Sequence, residues 1–152
     1  DHRDLPSFPT RRSSDLSLLS LHDGKRVIVR GESSDARPAI AAGAVYVAPI
    51  RMGSGTRVKI LEALAMGKAV VSTSVGCEGL DVVHGEHLLV ADGEEAFAAA
   101  VGRLLEDRGL AARLGRAGRE LVRRRYDYAI LAPMMDAVYE AAGGRAASTG
   151  RD

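Results

Sequence analysis

The stretch Val45–Thr73, VYVAPIRMGSGTRVKILEALAMGKAVVST, holds the residues whose types and spacing suit chemistry. A glycine-rich loop feeds a helix, and a lysine and a carboxylate follow within its first turns. The first four amides of a helix have no partner inside it, so the N–H groups of Gly53, Ser54, Gly55 and Thr56 would converge on an anion such as a phosphate. The helix dipole adds ~0.5–2 kcal/mol for a dianion. Arg57 and Lys59 fall in the first turn, where cations oppose that dipole. They do little for helix stability there, and a phosphate ligand explains them better. Lys59 and Glu62 are three apart and share a face. The carboxylate can accept two hydroxyls of a ribose while the lysine faces a diphosphate.

Two common phosphate motifs are excluded. The loop lacks the GxxxxGK[ST] spacing of a P-loop, and Gly53-x-Gly55 lacks the third glycine of a dinucleotide fingerprint. No Asp-x-Asp pair is present to hold a metal–diphosphate complex, so metal independence is expected. His84, His87 and Cys77 are too few for a zinc site, which needs a fourth ligand; His87 is expected to orient a turn.

These residues need elements to position them. Arg26–Arg30 (RVIVR) reads as a buried strand ending at Gly31, and Asp35–Gly43 as a short helix packed through alanines. Val45–Pro49 is a second strand, stopped by Pro49. A helix is expected over Thr56–Met66, with Thr56 as N-cap and Gly67 as its stop. Ala69–Thr73 is a third strand, a loop follows around Gly76 and Gly79, and His87–Val90 is a fourth strand. Phe97, Val101, Leu104 and Leu105 then mark one face of a helix, and Leu110, Leu114, Ala117 and Leu121 mark a second. A last helix covers Tyr128–Ala142, with Pro133 kinking it or marking its start; Met134 and Met135 read as ordinary apolar packing. Alternating strands and helices predict an α/β, Rossmann-like, doubly wound parallel sheet whose ligand sits at the carboxyl ends of the strands.

The bulk numbers fit. The chain has 152 residues, of which 46% are apolar and only 4% aromatic, enough for one domain with thin strands and close helix–sheet packing. Lys plus Arg number 21 against 20 acids, a net charge of +1, so no global field draws the chain to nucleic acid. One cysteine excludes an internal disulfide framework. With no long apolar run, a cytoplasmic protein is expected. Arg123, Arg124 and Arg125 read as a solvated face, with contact to anionic lipid at the inner side of a membrane as the sharper alternative. Residues 1–16 have no helical or strand period. Phe8–Leu16, FPTRRSSDL, resembles one reading frame of a common sequencing adapter, so this segment is expected to be non-native or a disordered tail.

From about Val27 to Tyr139, and most specifically over Gly55–Leu80, GTRVKILEALAMGKAVVSTSVGCEGL, the chain resembles the C-terminal, donor-binding domain of family 4 (group 1) glycosyltransferases, which have the GT-B fold. The resemblance implies a partial nucleotide-sugar-binding domain over 17–142, a tail over 143–152, and an acceptor domain supplied by a missing N-terminal half. It implies retaining transfer of a hexose from a nucleoside diphosphate to an acceptor hydroxyl, in polysaccharide or glycolipid assembly, with no cofactor. The acid matching Glu62 would hold the donor ribose, and the loop before it, with Lys59, would cradle the diphosphate. Gly31, Glu32, Ser33 and Ser34 resemble the base-contacting loop, while Cys77, Glu78 and Gly79 fall near the donor side of the cleft. In that family the last helix crosses to the other domain, so part of its apolar face is expected to be exposed. The chain departs from the pattern at Ser54, where a first glutamate is usual, and at Ala69, where proline is usual. The Arg and Lys that clamp the diphosphate come from strands this chain lacks. The rival expectations are a non-catalytic nucleotide-sugar-binding module and a half protein that pairs with another chain.

Overall fold

The computed structural model describes residues 19–30, 34–53 and 57–147, and the side chains through residue 140. Residues 1–18, 31–33, 54–56 and 148–152 lie outside the described residues, and with them the expectations placed on 1–16, Gly31, Glu32, Ser33, Ser54, Gly55 and Thr56.

Two units separate by their contacts, divided between Ala36 and Arg37. In the first, Asp23 organises a turn. Its Oδ1 accepts the N–H groups of Lys25, Arg26 and Val27 at 2.7–2.8 Å, and His22 Nδ1 accepts that of Val29 at 2.9 Å. These backbone bonds, Val27 first and Lys25 next, hold the Asp23 carboxyl below the usual carboxylate range. The expected buried strand at Arg26–Arg30 is therefore absent. Local side chains take the amides a ladder would use, and Val27 and Ile28 are exposed.

The second unit runs α1 (Arg37–Ala42), β1 (Val45–Ala48), α2 (Val58–Ala65), β2 (Ala69–Ser72), α3 (Ser74–Cys77), β3 (Leu89–Val90), α4 (Glu94–Glu106), α5 (Arg108–Arg125) and α6 (Tyr128–Ala147). The strands form a parallel sheet in the order β1-β2-β3. Val45 to Ala48 face Ala69 to Ser72, and Val71 and Ser72 face Leu89 and Val90. This is the anticipated α/β, Rossmann-like arrangement, with helices carrying the crossovers between parallel strands.

β2 is central and buried along its whole length, which is why AVVS is continuously small or apolar. Ala69 and Val71 point into a cluster with Leu89, Leu104, Leu110 and Leu114, and Phe97 and Val101 pack against it. Val70 and Ser72 alternate to the opposite face. Leu105, grouped with Leu104 by spacing, is instead exposed, since the buried stripe of α4 is narrower than its apolar pattern.

α2 ends as expected: Gly67 adopts φ +71° and its N–H bonds Leu64 O at 2.8 Å. The helix starts later than predicted, with Arg57 at the N-cap and no side-chain cap. A Cβ on Gly115 of α5 would come within 3.0 Å of Gly67 O, so α5 lies almost on the backbone at the end of α2. Residues 74–79, expected as a loop, open with α3, which Thr73 caps by accepting the Gly76 N–H at 3.0 Å. The last helix contains Pro133 and continues to Ala147, five residues past its expected end. From Tyr128 to Glu140 no residue of α6 is buried, and Met134 and Met135 are 63% and 53% exposed. Apolar packing of that pair is thus corrected, whereas exposure of the last helix's apolar face was expected.

Candidate functional site

The carboxyl ends of β1 and β2 carry the loops that matter. Thr73 ties them together: its hydroxyl donates to Ile50 O while accepting from Gly76 N–H. Arg57 adds a second tie, because its Nη2 donates to Gly53 O at 2.7 Å and to Val75 O at 3.0 Å. The Arg57 side chain, expected at a phosphate, thus straps the glycine-rich loop to the loop after β2. Its Nε is buried and lacks a hydrogen-bond partner among the described residues. A buried donor left unpaired costs about 1–3 kcal/mol, so an acceptor beside it would be favoured.

One turn into α2, Lys59 Nζ meets Glu62 Oε2 at 2.9 Å, the shared face anticipated from their spacing. The pair is solvent-exposed, the lysine more than the glutamate. As a surface ion pair it contributes little to stability, ~0–1 kcal/mol. Arg57 and Lys59 line one cavity of about 290 Å³ together with Tyr46, Ala48 and Ile50. Burial pushes the Tyr46 hydroxyl above its usual range; the nearby Glu62 carboxylate adds to this and Lys59 opposes it. The structure therefore gathers Arg57, Lys59, Glu62 and Tyr46 at one place, and Tyr46 went unnoticed in the sequence. The signal was its position on β1, two residues before the buried Ala48 and so on the same face of the strand.

Cys77 sits partly buried at the end of α3. Burial raises its thiol above the ordinary range, a Ser72 hydrogen bond opposes this, and Asp92 reinforces it. Glu78 and Gly79 are exposed beyond it. The two histidines are structural: Nδ1 of His87 accepts the Val83 N–H at 3.0 Å, orienting the turn as expected, and Nδ1 of His84 accepts that of Val90 at 2.9 Å. Among the described residues no three His, Cys, Asp or Glu gather as a metal site.

Other residues escaped sequence reasoning. Lys68 Nζ donates to Ala41 O and Gly43 O at 2.6 and 2.8 Å, closing the end of α1. Arg51 Nη2 meets Glu94 Oε1 at 2.7 Å, and Asp92 Oδ1 accepts the Ser74 N–H at 2.9 Å. Arg51, Asp92 and Glu94 line a second cavity of about 630 Å³ together with Ile50, Val75 and Phe97. In the arginine run, Arg124 pairs with Glu120 at 2.7 Å and Arg125 with Asp81 at 3.3 Å, as a solvated face does. No helix among the described residues is long and apolar enough to cross a membrane.

A parallel α/β sheet with its polar groups at the strand ends is the architecture of the C-terminal domain of GT-B glycosyltransferases. The chain superposes on sucrose-phosphate synthase from Thermosynechococcus elongatus with a TM-score of 0.75 at 24% identity, covering 88% of this chain and 35% of that one. On the C-terminal domain of a group 1 family glycosyl transferase, LpcC, from Francisella tularensis, the TM-score is 0.63 at 20% identity, over 77% of this chain and 62% of that one. These likenesses speak to the fold alone. The family described as Glycosyl transferases group 1 matches residues 9–107, and this chain belongs to it. That match takes in residues 9–16, which the sequence reading had set apart. The chain is also 35% identical over 82 residues to an "Uncharacterized 44.6 kDa protein in cps region" of Klebsiella pneumoniae, spanning 53% of this chain and 21% of that protein. It thus covers about a fifth of that curated relative.

Proposed function

We propose that this chain is the donor half of a retaining, family 4 glycosyltransferase and binds a nucleoside-diphosphate sugar at the start of α2. The observation that carries the reading is the Lys59–Glu62 pair beside the cavity that Arg57 and Tyr46 line, directly after the glycine-rich loop. Glu62 accepts the ribose hydroxyls, Lys59 faces the diphosphate, and the loop from Gly53 to Thr56 offers its amides. Arg57 holds that loop through Gly53 O, and its Nε, buried without a partner among the described residues, donates to a phosphate oxygen in this reading. Gly31, Glu32 and Ser33 contact the base in this reading.

Transfer from such a donor needs little covalent help from the protein. Lys59 and the loop amides offset the charge that grows on the leaving diphosphate, each charged hydrogen bond contributing ~1.5–3 kcal/mol. The acceptor, a sugar or lipid-linked saccharide for polysaccharide or glycolipid assembly, is held mainly by an N-terminal half outside this chain. In this reading the enzyme works without a metal, in the cytoplasm, with the arginine face of α5 available to anionic lipid. This chain alone then binds donor without turnover.

Calorimetric titration with UDP and GDP tests the proposal. Binding to the chain, weakened roughly tenfold to a hundredfold in Glu62→Gln, is expected from the loss of one charged contact of ~1.5–3 kcal/mol. Equal affinity in the two proteins would remove Glu62 from the site, and no binding of either nucleotide would sink the donor reading. A second reading, a half protein that pairs with another chain, draws on the exposed apolar face of α6.

A further inference from the structure

We propose that the cavity of about 630 Å³ between the loop after β1 and the start of α4 is a saccharide subsite, taking a neutral pyranose ring of the acceptor on the donor half of the protein. The inference rests on the donor reading above for the word acceptor; the site itself rests on its own geometry. Ile50, Val75 and Phe97 give it apolar lining, and its polar side chains are Arg51, Asp92, Glu94 and Thr73, whose hydroxyl is already engaged by Ile50 O and Gly76 N–H. The volume suits a small ligand.

The charges narrow the class of ligand. Two carboxylates against one guanidinium disfavour a phosphate or nucleotide. A metal lacks ligands, since no cluster of His, Cys, Asp or Glu forms among the described residues. A purely apolar ligand would leave the ionic rim without use. A pyranose matches both parts: its C–H face lies on the aromatic and apolar lining, and its hydroxyls donate to carboxylate and accept from guanidinium. Arg51 and Glu94 meet at 2.7 Å with side chains 75% and 84% exposed, so solvent screens the pair and either partner can exchange for a hydroxyl at small cost. Asp92 is held in place by the Ser74 N–H on its Oδ1.

Position supports an acceptor. Ile50 lines this cavity and also the smaller one beside Arg57 and Lys59, so the two share a wall. A ring seated here would lie next to the proposed diphosphate site, the adjacency that group transfer requires.

The test is an amide-resolved NMR titration of the full 152-residue chain with methyl glucoside, methyl galactoside and methyl mannoside, and separately with UDP. A saturable shift at Val75 and residues 92–98 with at least one glycoside, and with UDP a shift at residues 31–33 and 53–62 that leaves residues 92–98 in place, is expected. Glu94→Gln and Arg51→Gln should weaken glycoside binding several-fold and leave UDP binding as it was. Phe97→Ala is the weaker variant because Phe97 also packs on the core. No saturable shift at residues 92–98 with any glycoside overturns the site. UDP-glucose, UDP-galactose and GDP-mannose shifting both sets, with the matching free glycosides shifting neither, would assign the cavity to the donor's own sugar and overturn the acceptor role. Glycoside binding at residues 92–98 without any UDP binding would sink the donor reading and leave the saccharide site standing.

Discussion

Glu62 and Lys59 were legible as residues because helix spacing alone puts them on one face, and they meet at 2.9 Å. Arg57 was only half legible. Its type suggested an anion, but its two carbonyl partners, Gly53 and Val75, are set by how two loops approach. Gly76 shows the same limit, since a Cβ there would fall within 3.0 Å of the buried Ser72 Oγ. Gly76→Ala is expected to destabilise by ~1–3 kcal/mol through overpacking, read as a lower urea midpoint with unchanged slope. Cys77 and Tyr46 make a pH prediction. Both hold their protons more tightly when folded, chiefly through burial. The unfolded chain therefore releases protons first, and stability present at neutral pH is lost as pH rises through the ordinary thiol and then phenol ranges. Urea midpoints should fall across that window, with Cys77→Ser reducing the earlier part of the fall. A flat profile would contradict the burial of both groups.

At the scale of elements, periodicity located helices well and strands only where a partner existed. VYVA and AVVS pair because β2 offers ladders on both sides. RVIVR has the composition of a strand, yet a β-branched run cannot satisfy its amides alone, and Asp23 and His22 capture three of them, those of Arg26, Val27 and Val29. Two helices were expected over α4 and α5, and spacing left the residue at their boundary open. It is made by Asp107, whose Oδ1 accepts the Leu110 N–H at 2.8 Å and so starts α5 afresh. Asp107→Ala should cost ~0.5–2 kcal/mol in chemical denaturation, the usual effect of losing an N-cap. Asp107→Asn should recover most of it, and equal losses in the two variants would argue against capping.

For the whole molecule, the balance of covered and uncovered apolar surface decides behaviour. β1 pairs with β2 alone among the described residues, and α6 exposes Leu131, Met134, Met135, Val138 and Tyr139 around one hollow. Exposed edges and contiguous apolar faces drive association. The chain is expected to self-associate and bind a hydrophobic dye, and Met134→Lys with Val138→Lys should reduce both, as sedimentation and dye fluorescence will show. Unchanged association would move the sticky surface elsewhere, such as the β1 edge. The sequence by itself determined the α/β class, the buried strand AVVS, the glycine-rich loop before α2 and the Lys59–Glu62 pair, because each depends on residue types and spacings within a short stretch of chain. The strap from Arg57 to Val75, the Arg51–Glu94 pair across 43 positions and the tie from Lys68 to the end of α1 were decided only by tertiary structure. They depend on which distant segments meet, and local spacing carries no information about that.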